Sequence, residues 1–193
     1  MADKALPSPE LLRQLLSYDP DTGLLMWLRR PVEMFASGGR LPTLSAATWN
    51  SKFADKTAFT AKNANGYHVG IVFYQLIFAH RAIWAMSHGA WPDQYIDHIN
   101  GVRTDNRIAN LRSVTRQENM RNAARPKRNT SGVIGVYLDK TCGKWIASIK
   151  VDSRQIHLGR FASFNDAVVA RKAAEVEWGF HANHGRDPVI NAG

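Results

Sequence analysis

Residues 97–119 read Asp97-His98-Ile99-Asn100-Gly101-Val102-Arg103-Thr104-Asp105-Asn106-Arg107-Ile108-Ala109-Asn110-Leu111-Arg112-Ser113-Val114-Thr115-Arg116-Gln117-Glu118-Asn119. A short apolar run ends in Asp97-His98, Asn100-Gly101 makes a turn, and a polar loop leads into a second short strand at Leu111 to Val114. Thr115 with Glu118 three residues later is a capping box, so a helix starts at about Arg116 and presents Asn119 just over one turn inside it. The order is strand, loop, strand, helix.

Hydrolysis of a phosphodiester needs an activated water, a cation to neutralise charge in the transition state, and help for the leaving oxygen. His98 can take a proton from water near neutral pH. Asp97 supplies an anionic oxygen and Asn119 a neutral carbonyl oxygen, donor types that Mg²⁺ or Mn²⁺ accepts while keeping waters for a phosphate to displace. Asn110 is placed to hold the intervening loop by bonding backbone groups across the two strands. Adjacent strand residues point to opposite faces, so Asp97 and His98 serve one centre only where the chain bends, which Asn100-Gly101 permits.

With His80-Arg81 upstream, this block resembles the HNH, or ββα-metal, nuclease finger in the variant found in phage homing endonucleases. The matching residues are His80-Arg81, Asp97-His98-Ile99-Asn100-Gly101, Asp105-Asn106-Arg107, Asn110-Leu111 and Glu118-Asn119. The resemblance implies His98 as general base, Asn110 as the structural member of the catalytic set, and Asp97 with Asn119 as ligands of one divalent cation, Mg²⁺ or Mn²⁺. It also implies products with 5′-phosphate and 3′-hydroxyl ends. Asn119 stands where many relatives carry His, and Asn122 competes with it for that ligand position. Arg81 is implied to lie near the cleft, where it could hold a phosphate; a core His80 and a surface Arg81 are the alternative. Tyr18-Asp19-Pro20 to Gly23 and Leu25 to Trp27 resemble the N-terminal element of phage members.

Upstream, Ser8 and Pro9 start a short helix with Leu11, Leu12, Leu15 and Leu16 on one face. Asp19 to Gly23 reads as a turn and Leu24 to Trp27 as a buried strand. From Arg29 to Asn65 the pattern weakens: Ser37-Gly38-Gly39 indicates loop, with a possible short element around Trp49 to Phe59. Gly66 to Arg81 predicts two strands, although Phe73-Tyr74 sit where a tight hairpin prefers Asn-Gly. His80 to His88 reads as a helix burying Ile83 and Trp84, stopped by Gly89. His68, His88, His181 and His184 fit no ligand spacing and are read as structural.

Downstream, Arg125 to Gly132 is basic and broken by Pro and Gly, the composition of a linker. Three strands follow, about Val133 to Leu138, Lys144 to Val151 and Gln155 to Phe161, then a helix capped by Ser163. In the second strand Trp145, Ala147, Ile149 and Val151 should face that helix, leaving Lys144, Ile146, Ser148 and Lys150 outside. Phe164, Ala167, Ala170, Ala174 and Trp178 share one helical face, and Arg171 on the same face would have to snorkel outward. Residues 129 to about 184 resemble the Apetala-type, or ethylene-response-factor, DNA-binding domain, through Ser131-Gly132-Val133, Gly135-Val136, Gly143-Lys144-Trp145, Leu158-Gly159 and Phe161. Tyr137, Lys150 and His157 stand where that domain displays arginines and tryptophans, which predicts looser base reading.

The chain carries 25 Lys plus Arg against 16 Asp plus Glu, a formal charge of +9, which favours a polyanionic partner. Double-stranded DNA is the expected one, met by Arg81, Arg112, Arg121, Lys127, Arg128, Tyr137, Lys144, Lys150, Arg154 and His157, with affinity falling steeply in salt. A single cysteine, Cys142, excludes a disulfide framework or a Cys-based zinc ribbon within one chain. No apolar run is long enough to span a bilayer, and a signal layout is lacking, so a cytoplasmic location is expected, the host cytoplasm if the gene is a phage's. No protein partner is evident and a monomer is expected; one finger per chain favours nicking of one strand.

The expected fold class is α+β: a ββα-metal (HNH) module followed by a three-stranded antiparallel sheet packed on one helix. Its parts are an N-terminal element and irregular region at 1–65, a nuclease core at 66–125, a basic linker at 126–132, a DNA-binding module at 133–184 and a tail at 185–193. The expected activity is metal-dependent, strand-nicking DNA hydrolysis of the homing type. Two rivals stay open: a non-catalytic DNA-binding regulator on a degenerate HNH scaffold, and an RNA-processing nuclease.

Overall fold

A computed structural model describes residues 5–36 and 40–187. The loop expected at Ser37-Gly38-Gly39 and positions 188–193 of the expected tail lie outside the described residues. The fold is α+β, and the chain divides into two compact units, 1–113 and 114–193.

In the first unit the Ser8 hydroxyl accepts from the Leu11 amide at 3.2 Å and Pro9 takes the first turn, so helix α1 spans Pro9–Leu15 as the capping pattern indicates. Leu12 and Leu15 enter the core, and the equally buried Leu16 already opens strand β1, Leu16–Asp19. The Asp19 turn leads to β2, Leu24–Trp27, paired antiparallel with β1. This run is not buried throughout: Leu25 is inside while Leu24 and Met26 are exposed, the alternation of a strand covered on one face.

The stretch expected to be mostly loop contains a 12-residue helix, α2, at Pro42–Phe53. Leu41 at its N-cap makes no side-chain cap bond, and Ala46 is its one buried residue, so neither capping nor a broad apolar stripe announces it. Its aromatic end is what docks it. Trp49 meets Trp27 edge-on at 5.7 Å between ring centroids, and the Arg30 guanidinium lies 3.9 Å from the Trp49 ring.

Short β3 (Thr57–Ala58) completes a three-stranded sheet in the order β1-β2-β3. A second sheet runs β4 (Ala61–Lys62), β5 (His68–Val72), β6 (Gln75–Phe78). The β5–β6 hairpin turns on Phe73 at φ 47° and Tyr74 at φ 66°, so two aromatic residues occupy the left-handed region that a two-residue turn demands. Helix α3 (Ala79–His88) ends at Gly89, φ 76°. It buries Ile83; Trp84 is only half-buried and stacks on His88. Strands β7 (Tyr95–His98) and β8 (Leu111–Val114) form a separate two-stranded sheet with a 3-10 turn at Ile108–Asn110 between them. Ile96 and Leu111 join Leu12, Leu15, Val72 and Ile83 in one core, which fixes both ends of the polar loop.

The second unit opens with α4 (Arg116–Arg121), whose Thr115–Glu118 capping box is closed in both directions. Strands β9 (Val136–Asp139), β10 (Lys144–Val151) and β11 (Arg154–Phe161) form an antiparallel sheet with β10 central, backed by α5 (Phe164–Glu177) under its Ser163 cap. The division at 113/114 falls upstream of the basic stretch expected to be the linker. Asn122 accepts from Arg186, and Arg125 donates to the Asp187 carboxylate, which ties 122–125 into this unit. Within the stretch itself the Asn129 amide donates to Val133 O at 3.0 Å while its oxygen accepts from Gly132 N at 2.8 Å, giving an ordered turn.

Trp145, Ala147, Ile149 and Val151 pack on the α5 side with Ala167 and Ala174, as the alternation predicts. Lys144, Lys150, Gln155 and His157 are exposed, but Ile146 and Ser148 are buried, contrary to the expectation of an open outer face. Ser148 is covered by Gln155, whose amide donates to its hydroxyl at 3.2 Å, and by Gly135, whose carbonyl accepts its N–H at 2.8 Å. Trp178 is also displaced from the expected buried face: it ends the helix and is exposed.

Arg171 requires the larger correction. It does not snorkel; it is 2% exposed. Its Nε donates to Glu175 at 3.0 Å, one Nη to the Ser148 carbonyl at 2.7 Å, and the other lies 3.3 Å from His184 Nε2. Gly135 makes room for this network, because a Cβ there would stand 2.2 Å from Ser148 O and 3.0 Å from the guanidinium.

Candidate active site

Strand β7 delivers Asp97 and His98 on consecutive positions, and the chain turns immediately afterwards, with Gly101 at φ 75° and its N–H on the His98 carbonyl. The two side chains take different partners. Arg112, from β8, places Nε and Nη2 at 3.0 and 2.8 Å from Asp97 Oδ2, an ion pair with a carboxylate only 9% exposed. Two of the Arg112 donors are thus engaged by Asp97. His98, 3% exposed, sets Nε2 3.0 Å from the Oδ1 of Asn106. Burial pushes its pKa below the ordinary imidazole value, against the opposing pull of Asn106, Asp97 and Asp105, so the ring is neutral at neutral pH.

Asn110 clasps the loop. Its oxygen accepts from Asn100 N at 3.0 Å, and its amide donates to Asn100 Oδ1 at 3.0 Å and Asp105 O at 2.8 Å. Asp105 is gripped by the Arg107 fork at 2.7 and 2.6 Å, which, with the Asn100 amide, holds its carboxyl down to about 2. From the other side, the Tyr18 hydroxyl accepts from Ile108 N at 2.7 Å and donates to Asn106 O at 3.2 Å. Gly23, φ +74°, presses against the same backbone: a Cβ there would meet Arg107 N at 2.6 Å and Asn106 C at 2.8 Å. Tyr18 and Gly23 were visible in sequence as a turn motif, but nothing in the spacing linked them to a loop more than eighty residues away.

His80 lies in the core and beside His98 at once. Its ring is 5.2 Å from that of His98 and 5.1 Å from that of Tyr67, and its Nδ1 has no hydrogen-bond partner among the described residues. Burial, then the charges of His98 and Arg81, take its pKa down to about 3. Arg81 donates to the carbonyls of Pro92 at 2.9 Å and Gln94 at 3.3 Å, so it braces the segment before β7.

The His80 environment makes a prediction about acid stability. In the unfolded chain this imidazole titrates near 6.5, whereas the folded chain binds its proton only near 3, so its stabilising contribution is complete above pH 6.5 and is lost as pH falls toward 3. Between pH 7 and pH 4 the loss is on the order of 3 kcal/mol. Urea midpoints measured across that range should show this slope in the wild type and a flatter one in His80→Phe; equal slopes would show that the ring is not held neutral by the fold.

Asn119 lies on α4 in the second unit, half-buried, its N–H bonded to Thr115 O at 3.0 Å. Asn122, the competing ligand, is fully buried with Oδ1 accepting from Arg186 at 3.1 Å, a structural use. Among the described residues no group of three His, Cys, Asp or Glu side chains converges. Asp97 and Asn119 each carry a hard oxygen donor of the kind a divalent cation with retained waters accepts.

The remaining residues expected to meet DNA are in the second unit. Lys127, Arg128, Tyr137, Lys144, Lys150, Arg154 and His157 are exposed, while Arg121 is half-buried, 3.7 Å from Asp152. A cavity of about 850 Å³ in this unit is lined by Arg116, Arg121, Lys150, Gln155, Phe180 and His184, among others. No helix among the described residues is long and apolar enough to cross a membrane.

Residues 78–121 match a family described as HNH endonuclease, a span that covers α3, both strands of the β7–β8 sheet and α4. Protein 3.8 of Escherichia phage T7 is 33% identical over 84 residues, 43% of this chain and 69% of that relative. No solved structure matched the chain.

Proposed function

The chain belongs to the HNH endonuclease family, and on that footing we propose that it is a metal-dependent DNA endonuclease of the phage homing type that nicks one strand of a duplex. The observation that supports this most directly is the buried Asp97-His98 pair at the end of β7, backed by the Asn110 clasp on the loop that follows. His98, neutral at working pH, takes a proton from the attacking water at the scissile phosphate. Asn110 keeps the loop in register and moves no proton. Asp97 and Asn119 would hold one Mg²⁺ or Mn²⁺ ion, which when bound supplies charge neutralisation to the phosphate and its leaving oxygen.

The second unit is read as an Apetala-type DNA-binding module. A three-stranded sheet that exposes Tyr137, Lys144, Lys150, Arg154 and His157 while α5 covers the other face suits a major groove, and Lys127, Arg128 and Arg121 add phosphate contacts. With lysines and a histidine at the reading positions, base discrimination is loose. A monomer acting in the host cytoplasm is the matching working state.

Supercoiled plasmid incubated with the protein and Mg²⁺ tests the reading. The expected product is open-circle DNA, suppressed by chelation and restored by excess Mg²⁺ or Mn²⁺. Tight duplex binding without any metal-dependent nicking would favour a DNA-binding regulator instead, and preferential cleavage of RNA in competition would favour an RNA-processing enzyme.

A further inference from the structure

Asn106 is an asparagine with almost no freedom. It is 2% exposed, its carbonyl accepts from the Tyr18 hydroxyl at 3.2 Å, and Gly23 packs so close to it that a Cβ on the glycine would lie 2.8 Å from its carbonyl carbon and 3.1 Å from its nitrogen. The main chain is thus pinned from the N-terminal hairpin, and the side chain points its Oδ1 at His98 Nε2, 3.0 Å away. An amide oxygen only accepts, so this bond exists only when Nε2 carries the hydrogen. A neutral imidazole with its hydrogen on Nε2 has its basic lone pair on Nδ1.

We propose that Asn106 is a positioning residue that selects the Nε2–H tautomer of His98 and so makes Nδ1 the proton acceptor. Its catalytic consequence rests on the reading of His98 as general base. In the step it serves, Nδ1 takes one proton from water as the water oxygen forms its bond to phosphorus and the bond from phosphorus to the 3′ oxygen breaks. The 3′ oxygen gains a proton from solvent, and His98 later returns its own to solvent. Throughout, Nε2–H stays on Asn106, and the bond strengthens when the ring becomes cationic because a charged donor binds the amide oxygen more tightly. The amide therefore orients the base and steadies its protonated form without touching substrate.

The test reads the tautomer directly. Long-range ¹H–¹⁵N spectra of the ¹⁵N-labelled full chain at pH 8 should show His98 protonated at Nε2 in the wild type. In Asn106→Leu the pattern should move toward the Nδ1–H form, and the maximal nicking rate should fall roughly 10- to 100-fold with the half-saturating DNA concentration unchanged, by analogy with the loss of an outer-shell partner that orients a metal-ligating histidine. Asn106→Asp, which keeps an acceptor oxygen, should hold the Nε2–H pattern and most of the rate. If Asn106→Leu does not fold, the wild type and Asn106→Asp still decide. An Nδ1–H pattern in the wild type, or a pattern unmoved in folded Asn106→Leu, overturns the proposal. A protein that shows the expected tautomers yet nicks nothing overturns the nuclease reading and leaves the role of Asn106 in tautomer selection supported.

Discussion

His98→Ala should lower the metal-dependent nicking rate by about 10²- to 10⁴-fold, the range that a positioned general base contributes. The expectation follows from three features of the site: the imidazole is buried, burial favours its neutral form, and its Nε2 is held by an oxygen 3.0 Å away. DNA affinity should change little, because the exposed cations Lys127, Arg128, Lys144, Lys150 and Arg154 belong to the other compact unit. Single-turnover nicking combined with a binding titration separates the two effects. Added imidazole, entering the space the side chain leaves, should recover part of the rate. A variant that nicks at the wild-type rate would remove His98 from the chemistry altogether.

The second large effect concerns stability. Arg171→Met should destabilise the second unit by about 3–5 kcal/mol, the usual result of removing one partner from a buried ion pair. Glu175 is 7% exposed, and of its contacts only the one with Lys172, at 2.7 Å, reaches a side chain that is half exposed. Without Arg171 the Ser148 carbonyl also loses the donor that stands 2.7 Å away. The double variant Arg171→Met with Glu175→Leu should recover much of the loss, because an apolar pair of similar volume needs no desolvation of charge. Chemical denaturation followed by the fluorescence of Trp145 and Trp178, with the other four tryptophans replaced by phenylalanine in the wild type and variants alike, would report it. A single variant as stable as the parent would mean that the network contributes nothing to the fold.

Local signals were legible where they act locally. Ser8, Thr115 and Ser163 cap the helices that follow them, because an N-cap bond reaches only three residues along the chain. The alternation of Trp145, Ala147, Ile149 and Val151 gave the inner face of β10 for the same reason. The Asp97-His98 pair and Asn110 stood out because a turn motif and a capping box framed them. What escaped is set by tertiary partners. Helix α2 has no cap bond and one buried residue, and aromatic contacts with a strand far back in sequence dock it. Arg171 is buried because a glycine at 135 lets β10 approach, and Arg112 turns to Asp97 because β7 and β8 share one small sheet. Asn106 lay in plain view in the motif, yet only the fold shows which ring nitrogen it meets.

The brace formed by Tyr18 and Gly23 bears on how this enzyme can be dissected. The matched stretch begins at residue 78, whereas the groups that hold Asn106 and Ile108 in place come from the first hairpin of the chain. The finger is consequently not a portable cassette. Excised, or transplanted onto another host protein without residues 16–27, it would carry Asp97, His98 and Asn110 but lack the contacts from Tyr18 and Gly23 that hold the loop between them.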